Sequence, residues 1–126
     1  MAGRDHEQAD READARRRLL EAGAADLPRA PWLASGQPPA AAELIRFATW
    51  RAARGEMRRD DLLAALTLVD PARAEADQAE AALLFLARGH GLTWAQISRA
   101  LGLRSPQAAQ QRFGRVTDRA TEGGSS

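Results

Sequence analysis

Three glutamines and an arginine near the C-terminal end of this 126-residue chain have the types and the spacing that best suit a defined chemistry. They follow Ser105-Pro106, a cap-plus-proline pair that is typical of a helix start. At 100° per residue, Ala109, Phe113 and Val116 fall on one face and are the predicted buried side. A glutamine amide matches adenine N6 and N7 in the major groove, and an arginine matches guanine O6 and N7. On the opposite, outer face we therefore predict base contacts from Gln107, Gln110, Gln111 and Arg115.

The chain around this face is basic. From Arg88 to Arg119 it carries six arginines and a single acid, Asp118. Such side chains suit phosphates, where position and charge matter more than base identity. The predicted phosphate contacts are Arg88, Thr93, Arg99, Arg104, Ser105, Arg112 and Arg119. Alternatively, the arginines only keep the protein soluble, and the glutamines lie on an exposed helix face by chance.

The sequence offers few residues that could support catalysis or bind a metal. There is no cysteine, and the two histidines, His6 and His90, are far apart. That removes thiol nucleophiles and cysteine-ligated zinc. No glycine-rich phosphate loop or paired-carboxylate pocket is evident either. We therefore expect no enzyme, no cofactor and no metal site.

Short helices must position the outer face. Thr93 and Gln96 form a T-x-x-Q capping box, which predicts a helix from Trp94 to near Ala100. Leu101-Gly102-Leu103 then predicts a tight turn, because glycine tolerates a positive φ. The next helix starts after Ser105, and Asp118 would face DNA unfavourably, so we expect that helix to end or bend near Gly114. Trp94 is expected in the core or half-buried, and His90 in a surface turn.

A longer apolar helix precedes this pair. Asp70-Pro71 predicts its start and Gly89 its end. Ala79, Ala82, Leu83 and Leu86 make one face, and Leu84 and Phe85 extend the apolar surface most of the way around. Such a helix needs covering on two sides. Either the N-terminal and C-terminal helices do this within a single core, or a homodimer does so through the N-terminal helices or the Leu83–Phe85 surface.

The remainder of the chain predicts an all-α domain with flexible ends. Aromatic residues are only 5% and alanine dominates, which favours helices packed through small and aliphatic side chains. One helix is expected from about Ala40 to Arg54 with Gly55 as its stop, and another after Asp60. The proline-rich stretch from Gly23 to Pro39 is expected to be a linker or an irregular wrap, which Trp32 and Leu33 are candidates to anchor. The predicted divisions are a charged, partly disordered segment and linker over residues 1–36, an all-α domain over 37–119, and a disordered tail over 120–126. Within residues 1–36, a frayed or isolated helix is expected near the start, because its apolar content is low.

The stretch G-L-T-W-A-Q-I-S-R-A-L-G-L-R-S-P-Q-A-A-Q-Q-R-F, residues 91–113, resembles a known group of proteins. It is similar to the small actinobacterial helix-turn-helix DNA-binding proteins with a W-A-(E/Q)-I…L-G-x-S-R-Q-A-A-x-x-R-(F/W/Y) pattern, some of which are labelled HSP18-type transcriptional regulators. The resemblance covers about 55 residues with the preceding helix pair, and it implies DNA binding and regulation. Pro106 stands where the pattern has arginine, so a shared target sequence does not follow.

These observations predict a tri-helical helix-turn-helix at about residues 71–117 that reads double-stranded DNA through its last helix. The expected protein is a sequence-preferring transcriptional regulator or nucleoid-associated protein. The alternative is a protein-interaction module that docks on RNA polymerase, a sigma factor or its own copy. No membrane-spanning run or secretory signal is evident, so a cytoplasmic, nucleoid location is expected.

Overall fold

The computed structural model describes residues 2–29, 33, 37 and 39–124, with side chains from residue 6 to residue 119 of these. The predicted linker with Trp32 lies largely outside the described residues. Every regular element in the described part is helical, which confirms the all-α class. The helices are α1 (Ala2–Glu21), a single 3-10 turn (Ala24–Asp26), α2 (Ala41–Ala53), α3 (Arg59–Thr67), α4 (Val69–Gly89), α5 (Trp94–Ala100) and α6 (Pro106–Gly124).

The chain forms two compact units, Met1–Arg73 and Ala74–Ser126, whose boundary falls within α4. Two separate clusters of buried side chains accompany this division. The sequence predicted one core, and the difference has a physical reason. Small alanine-rich helices bury little surface each, so each group of three helices closes around its own few large side chains.

The first unit is built around Leu19, Leu44, Phe47 and Leu68, all of them buried. Leu19 lies on α1, for which the sequence predicted a frayed or isolated helix. Instead, Ala15 and Leu19 lie one turn apart and enter the core together with side chains of α2 and α3. The apolar stripe of α1 is narrow, but its partners come from distant sequence and could not be seen in the segment itself.

The second unit closes around Leu84 of α4, Ile97 of α5 and Ala109 of α6. Trp94 and Phe113 pack at its edge, with ring centroids 5.8 Å apart and ring planes tilted by 55°. This confirms the expectation that Trp94 is a core or half-buried residue. Because α5 has only seven residues, its orientation depends on these contacts more than on its own helical propensity.

Two predicted boundaries change, the start of α4 and the end of α6. α4 begins at Val69, because Leu68 ends α3 and the next helix follows at once. Pro71 is accommodated in the first turn of α4, where the missing N–H has no partner within the helix. At the other end, α4 ends at Gly89 as predicted, and the turn after it has its positive φ at Gly91, at 85°. Finally, α6 continues through Gly114 to Gly124 instead of ending or bending there, and so enters the predicted tail.

Large apolar side chains remain at the surface of α4. Leu83, Phe85 and Leu86 are 67%, 71% and 54% exposed. The sequence predicted that this helix is covered on two sides, by other helices of the chain or by a second copy. In the structure Leu84 is buried in the second core and Ala72 packs against the first, while the side with Leu83 and Leu86 is exposed. None of the described helices combines the length and the apolar character that crossing a membrane requires.

Candidate nucleic-acid interface

The start of α5 is held by Thr93 and Gln96. The Thr93 hydroxyl accepts a hydrogen bond from the backbone N–H of Gln96 at 3.1 Å. In return, the side-chain Oε1 of Gln96 accepts one from the backbone N–H of Thr93 at 2.8 Å. This is the capping box that the sequence predicted. The Thr93 hydroxyl, predicted as a phosphate contact, is therefore already engaged within the protein.

Two glycines set the angles between the three helices of this unit. At Gly102, φ is 72°, its N–H donates to Arg99 O, and the Leu103 N–H donates to Ser98 O at 2.8 Å. This pair of bonds is a Schellman motif, which ends a helix and needs a left-handed residue. The same pair recurs after α4, where the Gly91 N–H donates to Arg88 O and the Leu92 N–H donates to Ala87 O. Both turns are thus fixed by backbone geometry.

Ser105 starts α6. Its hydroxyl accepts from the Ala108 N–H at 3.1 Å, as an N-cap side chain does. Like Thr93, Ser105 is therefore committed to helix capping. It fixes where α6 begins, and with it which residues of α6 face outward.

The outer face of α6 is exposed as predicted. Ala109 and Val116 are completely buried on the opposite side. Gly114 is exposed with open space above its Cα, so the backbone there is accessible. The four side chains predicted to contact bases, Gln107, Gln110, Gln111 and Arg115, are all exposed. Asp118 is exposed on the same face, farther along the helix.

Two of the predicted phosphate contacts point elsewhere. Arg112 donates to Glu80 Oε1 through Nη2 at 2.6 Å and Nε at 3.0 Å. The hydrogen bond to Glu80 and its negative charge raise the pKa of the Arg112 guanidinium above its ordinary value. Arg119 forms a looser ion pair, with its Nε 3.5 Å from Asp77 Oδ2. Both arginines therefore tie α6 to α4.

Arg88 has a mixed role. Its guanidinium stacks over the Trp94 ring at 4.7 Å and donates to Leu92 O at 2.9 Å. These contacts brace the α4–α5 turn while the side chain stays at the surface. Beside it, His90 places Nδ1 2.9 Å from Leu86 O and is exposed, in agreement with a surface turn.

The basic side chains left for an external anion are Arg99, Arg104 and Arg115. All three are exposed, and none has a carboxylate partner in the described part of the chain. The candidate interface thus combines one helix face rich in amides with arginines on α5, on the α5–α6 turn and on α6. No acidic residue occurs between Arg88 and Thr117, so the start of α6 and the turns before it carry net positive charge, with Asp118 as the first acid beyond them.

Sequence reasoning missed the acidic partners, Asp77 and Glu80. A signal existed, because Asp77, Glu80 and Leu84 share one face of α4, while Arg112 and Arg119 are two turns apart on one face of α6. Opposite charges bordering the buried side of two neighbouring helices predict ion pairs between them. Comparisons with known proteins gave no match to a protein-family model, a curated protein or a solved structure.

Proposed function

We propose that the protein binds double-stranded DNA through the Ala74–Ser126 unit, with α4, α5 and α6 acting as a helix-turn-helix. In this proposal α6 enters the major groove and its outer face contacts base edges. The protein would then be a sequence-preferring transcriptional regulator or a nucleoid-associated protein in the cytoplasm.

The observation that carries the proposal is the exposed, acid-free amide face at the start of α6. Exposed helices of small domains usually carry mixed acidic and basic side chains. Here the first three turns present Gln107, Gln110, Gln111 and Arg115, whose donors and acceptors match adenine and guanine edges. An α-helix also fits the width of the major groove of B-DNA.

Phosphate contacts in this proposal come from Arg99 and Arg104, with Arg88 at the edge. Arg99 and Arg104 lie on α5 and on the turn before α6, which is where a helix-turn-helix meets the DNA backbone. The pairing of Arg112 with Glu80 and of Arg119 with Asp77 removes them from this set. Instead, these ion pairs hold α6 against α4, so that the outer face of α6 stays exposed to solvent.

Selection of bound fragments from random DNA, followed by titration of the enriched sequence, tests the proposal. Gln111→Ala should weaken binding to the preferred sequence by about 1–3 kcal/mol and leave binding to unrelated DNA nearly unchanged. Gln78→Ala is the matched control, since Gln78 is an exposed glutamine on α4, outside the proposed interface. Equal loss on all sequences would refute base reading, and absence of binding even at low salt would refute the proposal.

A protein-interaction module is the second candidate function. The exposed Leu83, Phe85 and Leu86 side chains favour it, because large apolar groups at a surface commonly mark binding sites. Measurement of hydrodynamic mass together with a gel shift on mixed genomic DNA separates the two functions. An oligomer that gives no shift at low salt supports the interaction module alone.

A further inference from the structure

One glycine lies in the interior of α6, at the centre of its outer face. Gly114 lies about 20° around the helix from Gln107 and about 150° from the buried Ala109 and Val116. The remaining glycines of the described helices stand at a helix end or one residue from it. Because glycine destabilises a helix interior relative to alanine, its presence at this position calls for a physical reason.

The described fold supplies no such reason. Positive φ values among the described residues belong to Gly23, Gly55, Gly91 and Gly102, so the backbone of Gly114 has a conformation that any residue adopts. A Cβ added at Gly114 would meet nothing within 4 Å. Alanine, which dominates the chain, would therefore fit there and would strengthen the helix. A surface that approaches α6 closely from outside does explain the glycine, because such a surface would collide with a Cβ.

The missing side chain leaves a shallow notch in the outer face of α6. We call this the Gly114 notch; it is bordered by Gln110 and Gln111 one turn earlier and by Thr117 and Asp118 one turn later. All four bordering residues are exposed. The notch thus lies between two amides on one side and a hydroxyl and a carboxylate on the other.

The chemistry of this border limits what the notch can receive. Asp118 repels a phosphate, so the group that approaches Gly114 is uncharged. Among the groups on the major-groove edges of DNA, the apolar one is the C5-methyl group of thymine. The adenine paired with that thymine offers N6 and N7, which a glutamine amide matches. A single A·T base pair therefore supplies an adenine for one of the two glutamines and a methyl group for the notch beside them.

We propose that α6 lies closest to the DNA at Gly114 and that the Gly114 notch receives the methyl group of a thymine. This inference rests on the proposed function, in which α6 enters the major groove. It adds a position in the DNA at which a methyl contact, rather than a hydrogen bond, selects the base. The preferred sequence then has an A·T pair at this position.

Replacement of thymine by uracil, which lacks only the methyl group, tests the contact from the DNA side. Each thymine of the sequence enriched from random DNA is replaced in turn, and the affinity of the full chain is measured by fluorescence anisotropy. At one position the affinity should fall about fourfold, the factor that corresponds to one buried CH₂ group at about 0.8 kcal/mol. Thymines that do not contact the notch are the internal controls and should tolerate uracil.

Gly114→Ala tests the contact from the protein side. The added methyl group fills the notch, so affinity for the thymine duplex should fall about tenfold, and uracil at the sensitive position should restore most of the loss. Gly89→Ala is the matched control, since Gly89 is a helical glycine with open space above its Cα, outside α6. Its affinity should equal that of the unchanged chain, and thermal unfolding verifies that both variants are folded.

The outcomes separate this inference from the proposed function. If the unchanged chain selects a DNA sequence but Gly114→Ala binds it equally well, the close approach at Gly114 is overturned and DNA binding stands. A loss from Gly114→Ala that uracil relieves at no position overturns the thymine contact. If the unchanged chain binds no DNA or enriches no sequence, the proposed function fails and this inference fails with it.

Discussion

Substitution of Arg112 separates a structural arginine from a DNA-binding one. Arg112 makes two hydrogen bonds to Glu80, at 2.6 and 3.0 Å, and its side chain is 39% exposed against 20% for Glu80. Exposed ion pairs contribute about 0.2–1 kcal/mol, and hydrogen bonds to charged groups contribute about 1.5–3 kcal/mol. Because solvent reaches the guanidinium, we expect a coupling free energy between the two residues of about 1 kcal/mol.

A double-mutant cycle measures this coupling. Arg112→Ala, Glu80→Ala and the double variant are unfolded in urea and followed by the fluorescence of Trp94, which lies in the same unit, with the other two tryptophans replaced by Phe. Arg115→Ala is the matched control, since Arg115 is on the same helix, exposed and without a carboxylate partner in the described residues. Its effect on the free energy of unfolding should stay within about 0.5 kcal/mol.

DNA affinity should show the reverse order. Measured on folded protein, Arg112→Ala should bind the preferred DNA nearly as well as the unchanged chain, whereas Arg115→Ala should lose about 1–3 kcal/mol of binding free energy. A coupling of zero, together with a loss of affinity from Arg112→Ala as large as that from Arg115→Ala, would refute the assignment of Arg112 to the α4–α6 contact. It would return Arg112 to the phosphate contacts that the sequence predicted.

Three further predictions concern turn geometry, acid stability and salt. Gly102→Ala should destabilise the protein by about 1–2 kcal/mol, because φ is 72° at Gly102. Gly114→Ala should stabilise it by about 0.5–1 kcal/mol, because Gly114 lies within α6 and an added Cβ would meet open space. Thermal unfolding measures both effects. Burial raises the pKa of Asp61, but the Arg58 N–H and the Arg18 guanidinium lower it more, so the pKa lies below its ordinary value of 3.8. The stabilisation from this shift is complete above the unfolded pKa, near 3.8, and is lost as pH falls through the lower folded pKa; Asp61→Asn should flatten this acid dependence in unfolding experiments. With Arg88, Arg99 and Arg104 as phosphate contacts, log affinity should fall against log salt with a slope of about −2.7 per protomer, measured by fluorescence anisotropy.

Each of these has an outcome that contradicts it. Equal effects of Gly102→Ala and Gly114→Ala would mean that the positive φ does not decide the cost. For the acid dependence, Asp60→Asn is the control, because Asp60 is 71% exposed and lies 3.9 Å from Arg18; if it flattens the profile as much as Asp61→Asn, the buried pair is not the cause. A salt slope near −4.5 would indicate five phosphate contacts per protomer and would bring Arg112 and Arg119 back into the interface.

The predictable features of the second unit are those that local sequence decides. The Thr93–Gln96 capping box, the left-handed Gly102 and the Ser105 cap each involve residues within a few positions of one another, so their types and spacing were sufficient. The outer face of α6 followed from helical periodicity alone. The bend expected at Gly114 was wrong, because a single glycine costs a helix only about 1 kcal/mol, which packing of Val116 offsets.

Features that depend on distant contacts could not be predicted in the same way. The burial of Leu19 requires Leu44 and Phe47, which lie on the next helix, about 25 residues or more along the chain. Likewise, Arg112 looks like a phosphate ligand until α4 brings Glu80 within hydrogen-bonding distance. A basic side chain on a helix has two sources of negative charge, an external polyanion or an acid on a neighbouring helix, and composition does not distinguish them.

The continuation of α6 through Asp118 limits the length of the proposed reading surface. Gln107 and Asp118 lie on the same side of a continuous helix, about 16 Å apart along its axis. A carboxylate repels phosphates and accepts hydrogen bonds only, so it cannot replace the glutamines along the groove. The amide face therefore ends near Arg115, about 12 Å from Gln107, which spans three to four base pairs. So short a footprint specifies little sequence from one protomer.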